Sequence, residues 1–238
     1  MKLVDRICLS TSQKRKIPAR VSAETGFYRL GKGRGEVAFQ SSLERGFAQM
    51  CDFANEVVTI KWEPHTFVFD DLVDGTERRY TPDYLVELSA RDGGCKSLLV
   101  EVKPQTVLDR IEASRPPGLH ARKHLAALEW CNQQDRIDFM VVSEKWLEAK
   151  GWANVRAIMD RQKYRADPRL KQSLAKTGLF PASLGNLVAI SKSEGFERGA
   201  VISSLLRMCA DDHIWFDRAL ALTDDTVFKF GERRRIFD

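Results

Sequence analysis

LLVEVKPQTV, residues 98–107, sets Glu101 and Lys103 two apart inside an apolar run that stops at Pro104. A short apolar run bounded by turn residues reads as a buried strand. Side chains alternate along a strand, so Glu101 and Lys103 project to one face while Val100 and Val102 project to the other. Charge is costly to bury unless it is paired. A carboxylate and an ammonium together at the exit of such a strand therefore mark a site, with Val102 behind them in the core and Pro104-Gln105 continuing at its rim.

Upstream, TPDYLVEL (81–88) opens a second strand at Pro82-Asp83, eighteen positions before Glu101. Antiparallel pairing of the two strands would bring Asp83 to Glu101. Two carboxylates, completed by backbone or water oxygens, are what a hard cation such as Mg²⁺ requires. A lysine beside them can orient or deprotonate a water, or stabilise charge developing on phosphate. P-D, a gap, then E-x-K is the PD-(D/E)xK nuclease signature. Alone it is degenerate; here both halves fall on expected strands and a helix carrying an acid precedes them. That acid is Glu44. SSLE (41–44) is a capping box with Ser41 at the helix start, and a helix start packed on a sheet can also aim Glu44 at the strand ends.

The flanking pattern is that of an α/β layer. Residues 26–40 read as a loop and a short strand, and 41–55 carry apolar residues at helical spacing. EVVTIKWEP reads as a strand ended by Pro64. Residues 65–89 hold two strand-like stretches about an Asp74-Gly75 turn, a hairpin. After the strand at 98 come a proline-led helix over 116–134, the buried strand IDFMVVSE, and a helix over 152–161. KYRADPRLKQ (163–172) is polar and reads as a boundary. Beyond it, 184–190 and 199–210 read as helices, and IWFD and TVFKF as short strands of a wing. The expected organisation is a basic arm (1–20), a nuclease domain (21–164) and a small winged-helix-like domain (165–238).

The formal charge is +5, and the first twenty residues account for it with six Lys/Arg against one acid, Asp5. Such an arm suits a nucleic-acid backbone. Lys14, Arg15 and Lys16 in the arm, Lys32 and Arg34 in the glycine-rich loop, and Arg78 and Arg79 on the strand leading to Asp83 are the candidate phosphate contacts. Five scattered cysteines without a CxxC pair read as reduced thiols. No stretch resembles a signal peptide or a membrane span, which gives a soluble protein expected in the cytosol, with no membrane partner.

SLERGF, TPDYLVE, LLVEVKP, IDFMVVSEKWL and WANVR follow the order and spacing of TnsA, which the chain resembles over about residues 36–160. TnsA is the endonuclease subunit of heteromeric (Tn seven-like) cut-and-paste transposases. The resemblance implies a restriction-endonuclease-like mixed sheet flanked by helices, in the bacterial cytosol. It implies Mg²⁺-dependent hydrolysis, with Mn²⁺ able to substitute, and metal ligation by Asp83, Glu101 and Glu44. The catalytic set is then Glu44, Asp83, Glu101 and Lys103. It further implies double-stranded DNA at transposon ends as substrate, cleavage of the 5′ (non-transferred) strand, a TnsB-like DDE transposase for the 3′ ends, and a TnsC-like AAA+ ATPase docking on the C-terminal domain.

Other candidates carry less. His120 and His124 are four apart on a helix, but no HExxH glutamate or fourth ligand accompanies them. Asp70, Asp71 and Asp74 read as a solvated turn, Trp62 and Phe67 as packing, and Asn154 and Arg156 as structural. Residues 165–238 hold twelve basic and ten acidic side chains, which suits protein docking better than groove reading. Two rival readings remain: a stand-alone PD-(D/E)xK enzyme of restriction or repair, and a non-catalytic assembly factor.

Overall fold

The computed structural model describes residues 6–8, 24–31, 33–64, 66–71, 73–176, 180–231 and 235–237. The elements of the first part are β1 (Arg6–Cys8), β2 (Gly26–Arg29), β3 (Glu36–Phe39), α1 (Ser42–Phe53), β4 (Val57–Trp62), β5 (Thr66–Asp70), β6 (Glu77–Tyr80), β7 (Tyr84–Ser89), β8 (Cys95–Val102), α2 (Gln105–Ala113), α3 (Leu119–Asn132), β9 (Ile137–Val142) and α4 (Glu144–Ala149). Then follow α5 (Trp152–Asp160), α6 (Pro168–Lys176), β10 (Ala182–Ser183), α7 (Leu184–Ser193), α8 (Arg198–Ala210), β11 (Ile214–Trp215) and β12 (Val227–Phe230). The chain divides into two units, Met1–Leu147 and Glu148–Asp238. The division falls after Leu147 and not near Tyr164, so α5 groups with the C-terminal elements. None of the helices among the described residues is long and apolar enough to cross a membrane.

A mixed sheet of order β4-β7-β8-β9 centres the first unit. β7 pairs antiparallel with β4 and β8, and β8 pairs parallel with β9. β8 is an interior strand covered on both faces, which is why Leu98, Leu99, Val100 and Val102 are apolar on both of them and Glu101 alone interrupts the run. The two faces bury different partners. Tyr84 on one face meets Phe47 of α1, with ring centroids 5.5 Å apart. Leu85 and Leu99 on the other join Phe67, Phe69 and Tyr80 of β5–β6 and Ala126, Ala127 and Cys131 of α3. The β7–β8 turn is short, closed by Ala90 N–H donating to Gly94 O at 2.8 Å. Gly93 takes φ +81° there, a left-handed conformation that costs glycine little.

A second, antiparallel sheet has the order β1-β5-β6. Its β5–β6 hairpin turns at Gly75, φ +65°, as the Asp-Gly pair predicts. Three features differ from the sequence reading. Arg6–Cys8, placed in a basic arm without a strand, pairs antiparallel with β5. The hairpin read over 65–89 ends earlier, at Tyr80: the chain breaks at Thr81–Asp83, where Pro82 cannot donate to a ladder, and β6 and β7 enter different sheets. Asp71, read as solvated, is 1 % exposed and binds Arg122 at 2.8 Å and Arg78 at 3.3 Å.

Arg34 also departs from its expected role. Its guanidinium turns inward, donating to Asp52 O and Oδ1 at 2.6 Å each and to Val57 O at 3.0 Å. It clamps the β2–β3 loop to the end of α1 and is not displayed to a phosphate. Arg34→Met should lower stability by about 1–2 kcal/mol, since charge-assisted bonds to half-buried acceptors are lost. Chemical denaturation measures this, and cation binding at the site described below should be unchanged.

In the second unit a three-stranded antiparallel sheet of order β10-β12-β11 lies with α6, α7 and α8. α6 occupies the segment read as a boundary. Its Leu170 and Leu174, one helical turn apart, are fully buried, and two apolar positions in a polar stretch gave too weak a period to read. Asn154 is structural, as expected: its amide donates to Arg218 O at 2.7 Å and Leu220 O at 2.8 Å.

Candidate active site

Strand register assembles the site. Tyr84 lies opposite Val100, so Asp83, one residue before, stands beside Glu101 and Val102 at the same sheet end. Asp83 Oδ2 accepts from Val102 N–H at 2.7 Å. Lys103 Nζ lies 2.6 Å from Glu101 Oε1 and 3.7 Å from Asp83 Oδ2. Lys103 continues the β8–β9 pairing, its N–H donating to Val142 O at 2.9 Å. The remaining Glu101 oxygen, Oε2, accepts from the Tyr80 hydroxyl at 2.9 Å. Glu101 is only 4 % exposed, so every bond to it counts.

Glu44 performs the capping role predicted for it. Ser41 Oγ accepts from Glu44 N–H at 3.1 Å and donates to Oε1 at 3.1 Å, and Gln40 N–H donates to Oε2 at 2.8 Å. It is also within electrostatic reach of the strand-end set. Burial raises its pKa against the pull of Gln40, Ser41 and Lys103, and its own charge acts on Asp83 and Lys103.

Charge in this cluster is unbalanced. Burial and the adjacent Glu101 push the Asp83 carboxyl up to about 7, although Lys103 and Val102 N–H pull it down. For Lys103, burial works against the ammonium, but Asp83, Glu101 and Glu44 outweigh it and hold the pKa above its ordinary value. Three carboxylates thus share one ammonium. That deficit of positive charge at hard oxygen donors fits a divalent cation such as Mg²⁺. Among the described residues no group of three or more His, Cys, Asp and Glu is gathered into a ready-made metal cage; Asp83 and Glu101 are drawn to the Lys103 ammonium instead.

The junction behind the site is pinned by residues not singled out in the sequence. Gln105, expected at the rim of the site, starts α2. Its N–H donates to Glu144 Oε2 at 2.8 Å, and its Oε1 accepts from Ser143 Oγ at 2.7 Å. Tyr80 was also missed. The signal was there: a tyrosine at a core position needs a partner for its hydroxyl, and RRYTPD puts it three residues before Asp83. His124 packs its ring 6.3 Å from that of Tyr80 and 5.7 Å from that of Phe139.

The expected phosphate contacts are not assembled into one surface by the described residues. Arg79 is exposed. Arg78 is paired with Asp71 and, at 2.6 Å, with Asp74. Lys14, Arg15, Lys16 and Lys32 lie outside the described residues.

Residues 54–144 match the family described as TnsA-like endonuclease N terminal. The matched segment includes Asp83, Glu101 and Lys103; Glu44 and the second unit lie outside it. No curated protein matches the chain.

Proposed function

We infer, from a chain whose residues 54–144 are a TnsA-like endonuclease domain, that it is a DNA endonuclease of a heteromeric transposition system and hydrolyses the 5′ strand at transposon ends. The observation that carries this is the Asp83–Glu101–Lys103 cluster, held at one sheet end and short of positive charge. Asp83 and Glu101 would hold Mg²⁺, with Glu44 assisting. The bound ion supplies Lewis acidity and lowers the pKa of a water. Lys103 positions that water against phosphorus and offsets charge on the non-bridging oxygens. The water oxygen bonds to phosphorus in line as the P–O3′ bond breaks, and a proton passes to the 3′-oxygen. The products are a 3′-hydroxyl and a 5′-phosphate.

The partners we assign are a DDE transposase of the TnsB type and an AAA+ ATPase of the TnsC type. The second unit supports a docking role. We read it as a winged helix, a reading supported by the strand between the first and second helices of α6-β10-α7-α8-β11-β12 and by the sheet order β10-β12-β11. Its α8 is poorly armed for a DNA groove: Arg207 pairs with Asp211 at 3.0 Å and Arg198 with Asp224 at 2.6 Å. DNA contact falls to the nuclease unit and the basic N-terminal residues, so the lone chain should bind DNA weakly, with a steep salt dependence.

The test is strand-resolved cleavage of a plasmid carrying the element's ends, with transposase, ATPase and Mg²⁺ present. Wild-type protein should add 5′-strand cuts to the transposase's 3′-strand cuts. No 5′ cut with all partners present would put the non-catalytic assembly role first. Cuts without any partner would favour a stand-alone nuclease.

A further inference from the structure

Glu101 is the most enclosed carboxylate of the cluster, and its two oxygens have different partners. Oε1 faces Lys103; Oε2 takes the Tyr80 hydroxyl. Tyr80 is 5 % exposed. It ends β6, in the other sheet, and its ring stacks on Phe67 at 6.2 Å. Only Thr81 and Pro82 separate it from Asp83, and the connection is tied at Thr81, whose hydroxyl meets that of Thr66 at 2.8 Å. The hydroxyl is therefore held by packing on one side and by a short tether on the other, and it donates to one oxygen alone.

We propose that Tyr80 is a positioning residue that occupies Glu101 Oε2 and so makes Glu101 a one-oxygen ligand, biasing the site toward a small octahedral cation. This rests on the nuclease reading above. Mg²⁺ demands near-ideal octahedral geometry, whereas Ca²⁺ accepts more oxygens and bidentate carboxylates. Freeing Oε2 would let Glu101 offer both oxygens, at a cost to Mg²⁺ and not to Ca²⁺.

The experiment is calorimetric titration of the metal-free full-length chain with Mg²⁺ and, separately, with Ca²⁺. It compares wild type, Tyr80→Phe, Asp83→Ala and Phe67→Leu. Tyr80→Phe keeps the ring and its packing. It should weaken Mg²⁺ binding by about tenfold, the lower range for loss of an outer-shell partner, while Ca²⁺ affinity holds or rises. Phe67→Leu, which disturbs the ring's packing but leaves the hydroxyl, should lower the melting temperature without moving the Ca²⁺/Mg²⁺ ratio. If Asp83→Ala loses the cation but Tyr80→Phe leaves the ratio unchanged, or Phe67→Leu moves it equally, the role of Tyr80 is overturned and the nuclease reading stands. If Asp83→Ala binds Mg²⁺ as wild type does, both fall.

Discussion

Lys103→Ala should reduce 5′-strand hydrolysis by about a thousandfold or more, with 3′-strand cutting by the transposase intact. Loss of a single preorganised electrostatic contact to a developing charge costs about 10²–10³ in rate. Lys103 is asked for more, because it also holds Glu101 and Asp83 together at 2.6 and 3.7 Å. Asp83→Ala should be at least as damaging, and the double variant little worse than either single one, since groups acting as a unit are not additive. Single-turnover cleavage of end-labelled DNA in the assembled complex measures all three. DNA retention by the complex must be unchanged for the loss to count as chemistry. Cuts that persist in both single variants would move the active site elsewhere.

The second large effect is on stability, and its sign is set by Asp83. An aspartate in an unfolded chain titrates near 3.9, and in the fold this one is pushed up to about 7 by burial and by Glu101. A raised carboxyl favours the protonated folded state. Its contribution is whole below about pH 4 and is lost as the pH rises through about 7. Metal-free protein should therefore lose up to about 3 kcal/mol from this source on going from pH 4 to pH 8. Asp83→Asn, which keeps an oxygen for Val102 N–H, should match wild type near pH 4 and exceed it by most of that amount at pH 8. Urea denaturation in the presence of a chelator at the two pH values decides it. An equal difference at both, or a less stable variant at pH 8, would contradict the charge deficit assigned to the cluster. Added Mg²⁺ should erase the advantage, because proton and cation compete for the same oxygens.

The site was more legible in the sequence than the fold around it. Period-two alternation fixed which face Glu101 and Lys103 share, and an antiparallel partner starting at Asp83 followed from Pro82 and the apolar run after it. Both are local signals. What was missed depends on contacts distant in sequence. Nothing within β1 announces that Arg6–Cys8 will pair with β5, sixty residues away. Arg34 looked like a phosphate ligand because a loop rich in glycine and cations usually displays them; Asp52 and the carbonyl of Val57 turned it inward. The hairpin over 65–89 overlapped the strand opened at Pro82-Asp83 because the break there costs one turn and no change of composition. Glu44 was legible as a cap, and the structure shows that cap; its role at the strand ends is part of the proposal.

The β7–β8 hairpin makes length, more than composition, the quantity that variation must respect. Each step of register carries a strand's side chains to the opposite face, so the turn from Ala90 to Gly94 works as a spacer setting which residue meets Asp83. Substitutions on its solvent side leave that spacing alone. Loss of one residue, if the strands re-paired to close the gap, would present Val100 or Val102 where Glu101 now stands and seat a carboxylate among the leucines. Lineages of this chain should therefore tolerate exchange of residues in the turn far more readily than their insertion or deletion.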